Sequence, residues 1–178
     1  RLAPEHPFPA PLEDAHAATL WAVENASEIG VDPTRVVVGG ESAGATLAAA
    51  VALLAKRSGP ALSGQLLVCP MTGHNPQLTA MRTESTVMLA PEEIAWFWKN
   101  YLGTADPSDP LVSPGFATDL SGLPPAIVVT AEHDALRDEG LDYADRLRLA
   151  GVSVDTLHYP GVFHGFFQFT RALARSRT

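Results

Sequence analysis

An α/β fold, a mostly parallel sheet flanked by helices, is what this sequence predicts, and three stretches predict it. Arg35-Val36-Val37-Val38-Gly39 is apolar and β-branched, turns at Gly40-Glu41-Ser42-Ala43-Gly44, and opens an alanine-rich helical stretch from Thr46 to Lys56. Ala126-Ile-Val-Val-Thr-Ala131 is continuously apolar, the pattern of a buried strand in a parallel sheet. A helical stretch then runs to Gly151, and Val152 to Tyr159 reads as a further strand, so strands and helices alternate.

The remaining elements follow in order. The proline-rich start, Pro4 to Pro11, reads as an irregular connector. A helix is expected from about Leu12 to Ile29, with Leu12, Ala15, Thr19 and Ala22 or Val23 on one face, ended by Gly30 and Pro33. Val36 to Gly39 reads as a strand whose apolar side chains are buried on both faces. Gln65 to Pro70 is the second strand. From about 71 to 123 the period breaks down, the longest excursion between strands. Inside it Pro91 opens a helix, with Glu92 and Glu93 in its first turn and Gly103 past its end. Ile94, Phe97, Trp98, Tyr101 and Leu102 form an apolar face, suited either to the core or to the wall of a pocket.

The 178 residues, 46% of them hydrophobic, suffice for one domain with a real core. A net charge of -8 argues against a nucleic-acid partner, which needs a basic face. The single cysteine, Cys69, excludes an internal disulfide, fits a reducing compartment, and reads as a small buried hydrophobe. Histidines and acids show no metal-ligand spacing, so no metal is expected. No apolar run approaches the roughly 18 residues of a membrane span, and a cytoplasmic location is the expectation.

Chemistry concentrates at Gly40-x-Ser42-x-Gly44. A serine on a sharp strand-to-helix turn is a presented nucleophile, and glycines at 40 and 44 are expected where side chains would clash. The helix behind Ser42 offers free N–H groups, Ala43 first, to a developing oxyanion. A nucleophilic serine needs a base, and the base an orienting acid, at the carboxyl ends of later strands. Asp134 directly follows the strand ending at Glu132-His133, and His164 lies in the glycine-flanked Pro160 to Gly165 segment. Among rivals, His133 alternates to the other face, His158 lies inside a strand, and His6, His16 and His74 are less suitably placed. Asp138 and Glu139 rival Asp134 but sit in a helix first turn, where acids serve the dipole.

The chain resembles the hormone-sensitive-lipase-like carboxylesterases of the α/β-hydrolase fold. Arg1 to Ala10, Val38 to Gly44, Ala131 to Gly140 and Tyr159 to Phe166 carry the resemblance, in that family's order and across nearly the whole chain. It implies Ser42 as nucleophile, Asp134 as acid and His164 as base. Ala135 stands where the family usually has proline. The family's His-Gly-Gly-Gly donor loop has no counterpart here, so the chain looks like the C-terminal portion of a longer hydrolase, without its first strands.

The resemblance implies hydrolysis of short- to medium-chain carboxylic esters through an acyl-enzyme, with no cofactor. The partner is a small-molecule ester, and a homodimer of the full-length parent is left open. Met71, Leu136 and Phe163, beside the strand ends, are expected to line the substrate pocket, where rings of the 91–102 helix are the competing wall. Two alternatives stay open: a non-catalytic small-ligand-binding module on the same fold, and an amidase or peptidase with the same triad.

Overall fold

The computed structural model describes residues 1–73 and 88–173. Helix α1, Ala10–Glu24, starts earlier than expected because Pro11 falls in its first turn, where a missing N–H costs no hydrogen bond. It also stops earlier. The Asn25 side chain donates to the Trp21 carbonyl at 2.9 Å, and turns rather than helix continue to Gly30.

A 3-10 turn at Pro33–Arg35, whose Thr34 N–H donates to Asp32, leads into strand β1, Val37–Glu41. Helix α2 spans Ala43–Ser58, strand β2 Gly64–Val68, helix α3 Pro91–Leu102, strand β3 Ala126–His133, helix α4 Arg137–Leu149 and strand β4 Val154–Phe163. The four strands form one parallel sheet in the order β1-β2-β3-β4. Every carboxyl end therefore opens on the same edge, which is how residues 42, 134 and 164 come together. Gly39 pairs with Leu66, Leu66 with Ile127, and Val129 with Leu157. The β3–β4 register shifts between Ala131 and His133, an irregularity of the kind that re-aims a strand end.

Packing is one-sided. Val38, Leu67 and Val128 point from the sheet into a core shared with α1, α2 and α4, where Leu67, Val128, Tyr143 and Leu147 are fully buried. Each large apolar side chain so buried contributes on the order of 1.5–3 kcal/mol. The alanines of α2, with Ala45, Ala49, Ala50 and Ala52 fully buried, let that helix lie close on the sheet directly behind Ser42. On the opposite face Val37, Leu66, Ile127 and Leu157 are 55%, 38%, 41% and 46% exposed. Among the described residues β1 lies at the sheet edge, and α1, α2 and α4 supply the expected burial on one of its two faces. Among the described residues the open face is capped near the strand ends, where Phe166 of the Phe166–Phe169 turn packs with Val129, Ala131 and Val162.

In the β2–β3 excursion, α3 turns Ile94 and Trp98 into a second core cluster with Met71 and Leu136. The turn at Pro114–Phe116 is held to α4 by Arg146, which donates to the carbonyls of Gly115 and Ala117. No helix of the described residues is long and apolar enough to cross a membrane.

Candidate active site

Ser42 joins β1 to α2 at φ 56° and ψ -119°, a left-handed backbone that a serine rarely adopts. Its N–H donates to the Val68 carbonyl at 2.8 Å, pinning the turn to β2. Gly40 is required: a Cβ there would lie 2.3 Å from the Gly44 carbonyl carbon and 2.8 Å from the Ala45 nitrogen. Gly44 differs from expectation, for a Cβ at that position would meet nothing within 4 Å. It faces the groove between α1 and the β1 edge rather than a neighbouring strand. Ala43 is the first residue of α2, so no carbonyl of the helix precedes its N–H. The buried Thr46 hydroxyl donates to the Met71 carbonyl at 2.6 Å and ties the first turn of α2 to the chain after β2.

Asp134 follows β3 and is 3% exposed. One carboxylate oxygen accepts the Leu136 N–H at 2.9 Å, and the other lies 2.9 Å from His164 Nδ1. His164 Nε2 lies 3.0 Å from Ser42 Oγ. With the proton on Nδ1, the ring donates to Asp134 and its Nε2 accepts from the serine hydroxyl, so all three groups are satisfied at once. The three residues come from the carboxyl ends of β1, β3 and β4.

The rivals are engaged elsewhere. Glu139 accepts the Gly73 N–H at 3.0 Å and Asp138 pairs with Arg137 at 2.7 Å. His158 Nδ1 lies 3.0 Å from the Thr130 hydroxyl, and exposed His133 lies 3.8 Å from Glu132. His74 falls outside the described residues.

Sequence spacing did not foreshadow one neighbour. Cys69, at φ 45° after β2, is 1% exposed, and its sulfur, an Asp134 oxygen and a His164 nitrogen lie within 4.8 Å of one another. Burial, then the Asp134 charge, pushes the thiol well above its ordinary range. A neutral thiol and an imidazole nitrogen already facing a carboxylate make a poor metal ligand set.

A cavity of about 400 Å³ opens beside Ser42, walled by Ala43, Met71, Leu89, Ile94, Trp96 and Phe97, with an almost wholly apolar surface. Met71 is one of the residues on this wall. Leu136 and Phe163 do not line this cavity: Leu136 is buried behind Met71, and Phe163 packs edge-on against Phe169. The helix face expected either in the core or in a pocket serves both, with Trp98 buried and half-exposed Phe97 on the wall. Trp96 and the N-terminal Leu2 and Ala3 also line it, and no periodicity in the sequence singled them out.

Residues 1–168 match the model of a protein family described by the α/β-hydrolase fold. Two relatives from Mycobacterium tuberculosis are similar over most of the chain. The carboxylic ester hydrolase LipN is 46% identical over 175 residues, 93% of this chain and 46% of its own. The carboxylesterase NlhH is 43% identical over 180 residues, 95% of this chain and 55% of its own. The crystal structure of an ester hydrolase from the metagenome of Lake Arreo, in complex with a bipyridine phosphonate derivative, superposes with a TM-score of 0.91 at 43% identity. That match covers 98% of this chain and 56% of the other. The chain spans about half the length of the relatives it matches. The match across nearly the whole chain, with the strand order and the elbow described above, shows that this chain belongs to the hormone-sensitive-lipase-like family of the α/β-hydrolase fold.

Proposed function

We propose that the protein carrying this chain is a serine carboxylesterase acting on short- to medium-chain carboxylic esters. The observation that carries the reading is the continuous contact from Asp134 through His164 to Ser42, at 2.9 and 3.0 Å. Ser42 Oγ attacks the ester carbonyl carbon as His164 Nε2 takes its proton. Asp134 holds the tautomer and stabilises the imidazolium. The carbonyl oxygen, now negative, faces the Ala43 N–H at the positive end of α2. Collapse breaks the bond to the alkoxy oxygen, which leaves as the alcohol with the His164 proton. Water, deprotonated by His164, then attacks the acyl-enzyme and frees the acid and Ser42. The cavity supports an acyl group of modest length, since about 400 Å³ is at the small end of ligand pockets. The phosphonate bound by the Lake Arreo relative supports a serine nucleophile, because phosphonates imitate the tetrahedral intermediate.

Taken alone, the 178 residues are expected to turn over esters feebly. Ala43 is the single oxyanion donor assigned to the elbow, and one donor is worth on the order of 10²–10³ in kcat. The test is a fluorophosphonate, followed by peptide mass spectrometry and a chain-length series of p-nitrophenyl esters. The expected result is an adduct on Ser42 and a maximum in kcat/KM at short or medium acyl chains. An adduct on another serine, or a maximum at long chains, overturns the reading.

A further inference from the structure

Glu41 stands between the required Gly40 and Ser42, and the mechanism above does not use it. Its carboxylate Oε2 accepts from the Gln168 side chain at 3.2 Å, a contact across 127 positions of sequence. It links the strand that carries Ser42 to the turn that follows His164. The other oxygen, Oε1, is shielded from solvent and has no hydrogen-bond partner among the described residues. It lies 4.0 Å from where a Cβ on Gly165 would stand, so the chain immediately after His164 passes directly beside it. Gly165, at φ 75°, leaves that space open.

A shielded carboxylate oxygen without a donor is costly in a folded protein. Here the cost has a use. When His164 takes the serine proton it becomes a cation, next in the chain to Gly165. The groups facing it are few. Asp134 lies at 2.9 Å, Cys69 is a neutral thiol, and Gln168 is neutral. Glu132 is committed to the Gly161 N–H at 2.6 Å, and Tyr159 stacks on Phe166. Arg137 is paired with Asp138 and with the Glu132 carbonyl. Glu41 thus brings a second carboxylate, from the β1 side, beside the chain that carries His164.

We propose that Glu41 is a positioning residue for His164. It fastens the 165–168 turn to the nucleophile strand and stabilises the imidazolium electrostatically. The inference rests on the triad reading above, and its test separates the two. In the protein that contains this chain, Glu41→Gln keeps an oxygen for Gln168 and removes the charge. The imidazolium is then less favoured, so the histidine loses its proton at lower pH. The acid limb of kcat/KM is expected to move down by about half a unit to one unit, and kcat to fall about three- to tenfold with KM nearly unchanged. Glu41→Asp, which keeps the charge on a shorter arm, is expected to leave the acid limb in place. Should Glu41→Gln not fold, Glu41→Ala makes the same charge removal. An acid limb that stays put in the folded, charge-removed variant overturns the proposal. Fluorophosphonate labelling of the wild type is the control. A wild type labelled at Ser42 with an unmoved profile defeats only the Glu41 inference, and a wild type unlabelled at Ser42 defeats the triad reading itself.

Discussion

The carboxyl ends of the strands and the open face of the same sheet are opposites. At the strand ends Ser42, Asp134 and His164 hold one another within 3.0 Å, and a hydrogen atom replaced by a methyl at Gly40 has nowhere to go. On the open face, Val37, Leu66, Ile127 and Leu157 present a row of apolar side chains to solvent. The Ser42–His164–Asp134 geometry is set by short segments at strand ends. Closure of the sheet depends on what packs against it.

The comparison breaks first, and with the largest effect, at the triad. If the strand ends act as one unit, His164→Ala is expected to lower kcat on the order of 10⁴-fold or more, about as much as Ser42→Ala, because triad members are not additive. Steady-state ester hydrolysis beside a circular dichroism spectrum reads this. A loss below a hundredfold in a folded variant would mean that the three residues do not act as a unit.

Next come the two elbow glycines, which contrast a closed position with an open one. Gly40→Ala puts a methyl 2.3 Å from backbone, and backbone cannot yield cheaply, so a loss of about 3 kcal/mol or more is expected. Gly44→Ala enters open space within α2 and is expected to be neutral or to stabilise by up to about 1 kcal/mol. Denaturant midpoints of the two variants decide the matter. A large cost at Gly44 would sharpen the picture differently, by showing that something else closes on the elbow from the β1 side.

The smallest effect on stability is expected on the open face. Leu66→Thr with Ile127→Thr, at paired and partly exposed positions, is expected to change stability by no more than about 0.5 kcal/mol per site. Light scattering of the 178-residue chain is expected to drop, because exposed apolar patches and an unpaired edge strand at β1 promote association. Unchanged scattering with a large loss of stability would show that this face is part of the core after all.

Much of the strand-end arrangement was legible in the sequence, because each part is local. A turn of fixed spacing, an acid at the end of an apolar run, and a histidine between glycines can be read without knowing what lies across the sheet. What escaped was set by distant partners. Helix α1 ends early, at Asn25, whose N–H and side chain both donate to the Trp21 carbonyl. Gly44 is unconstrained because, among the described residues, no strand lies on the other side of β1. The cavity wall draws on Leu2, Ala3 and Trp96, which only tertiary packing brings beside Ser42. Apolar continuity in Val36 to Gly39 read as burial on both faces, yet a one-dimensional pattern cannot say on which side helices will lie. Leu136 and Phe163 were chosen by adjacency to strand ends, and adjacency in sequence does not give the direction of a side chain.

The backbone at Ser42 has a consequence of another kind. A non-glycine residue held at φ 56° carries strain on the order of 1–3 kcal/mol, a sizeable part of an ordinary domain's net stability. Glycine at position 42 would relieve it and end the chemistry in the same step. If Ser42 is the nucleophile proposed above, folding and turnover pull in opposite directions at this residue. On that reading, the nucleophile is the position where losing the activity is thermodynamically downhill.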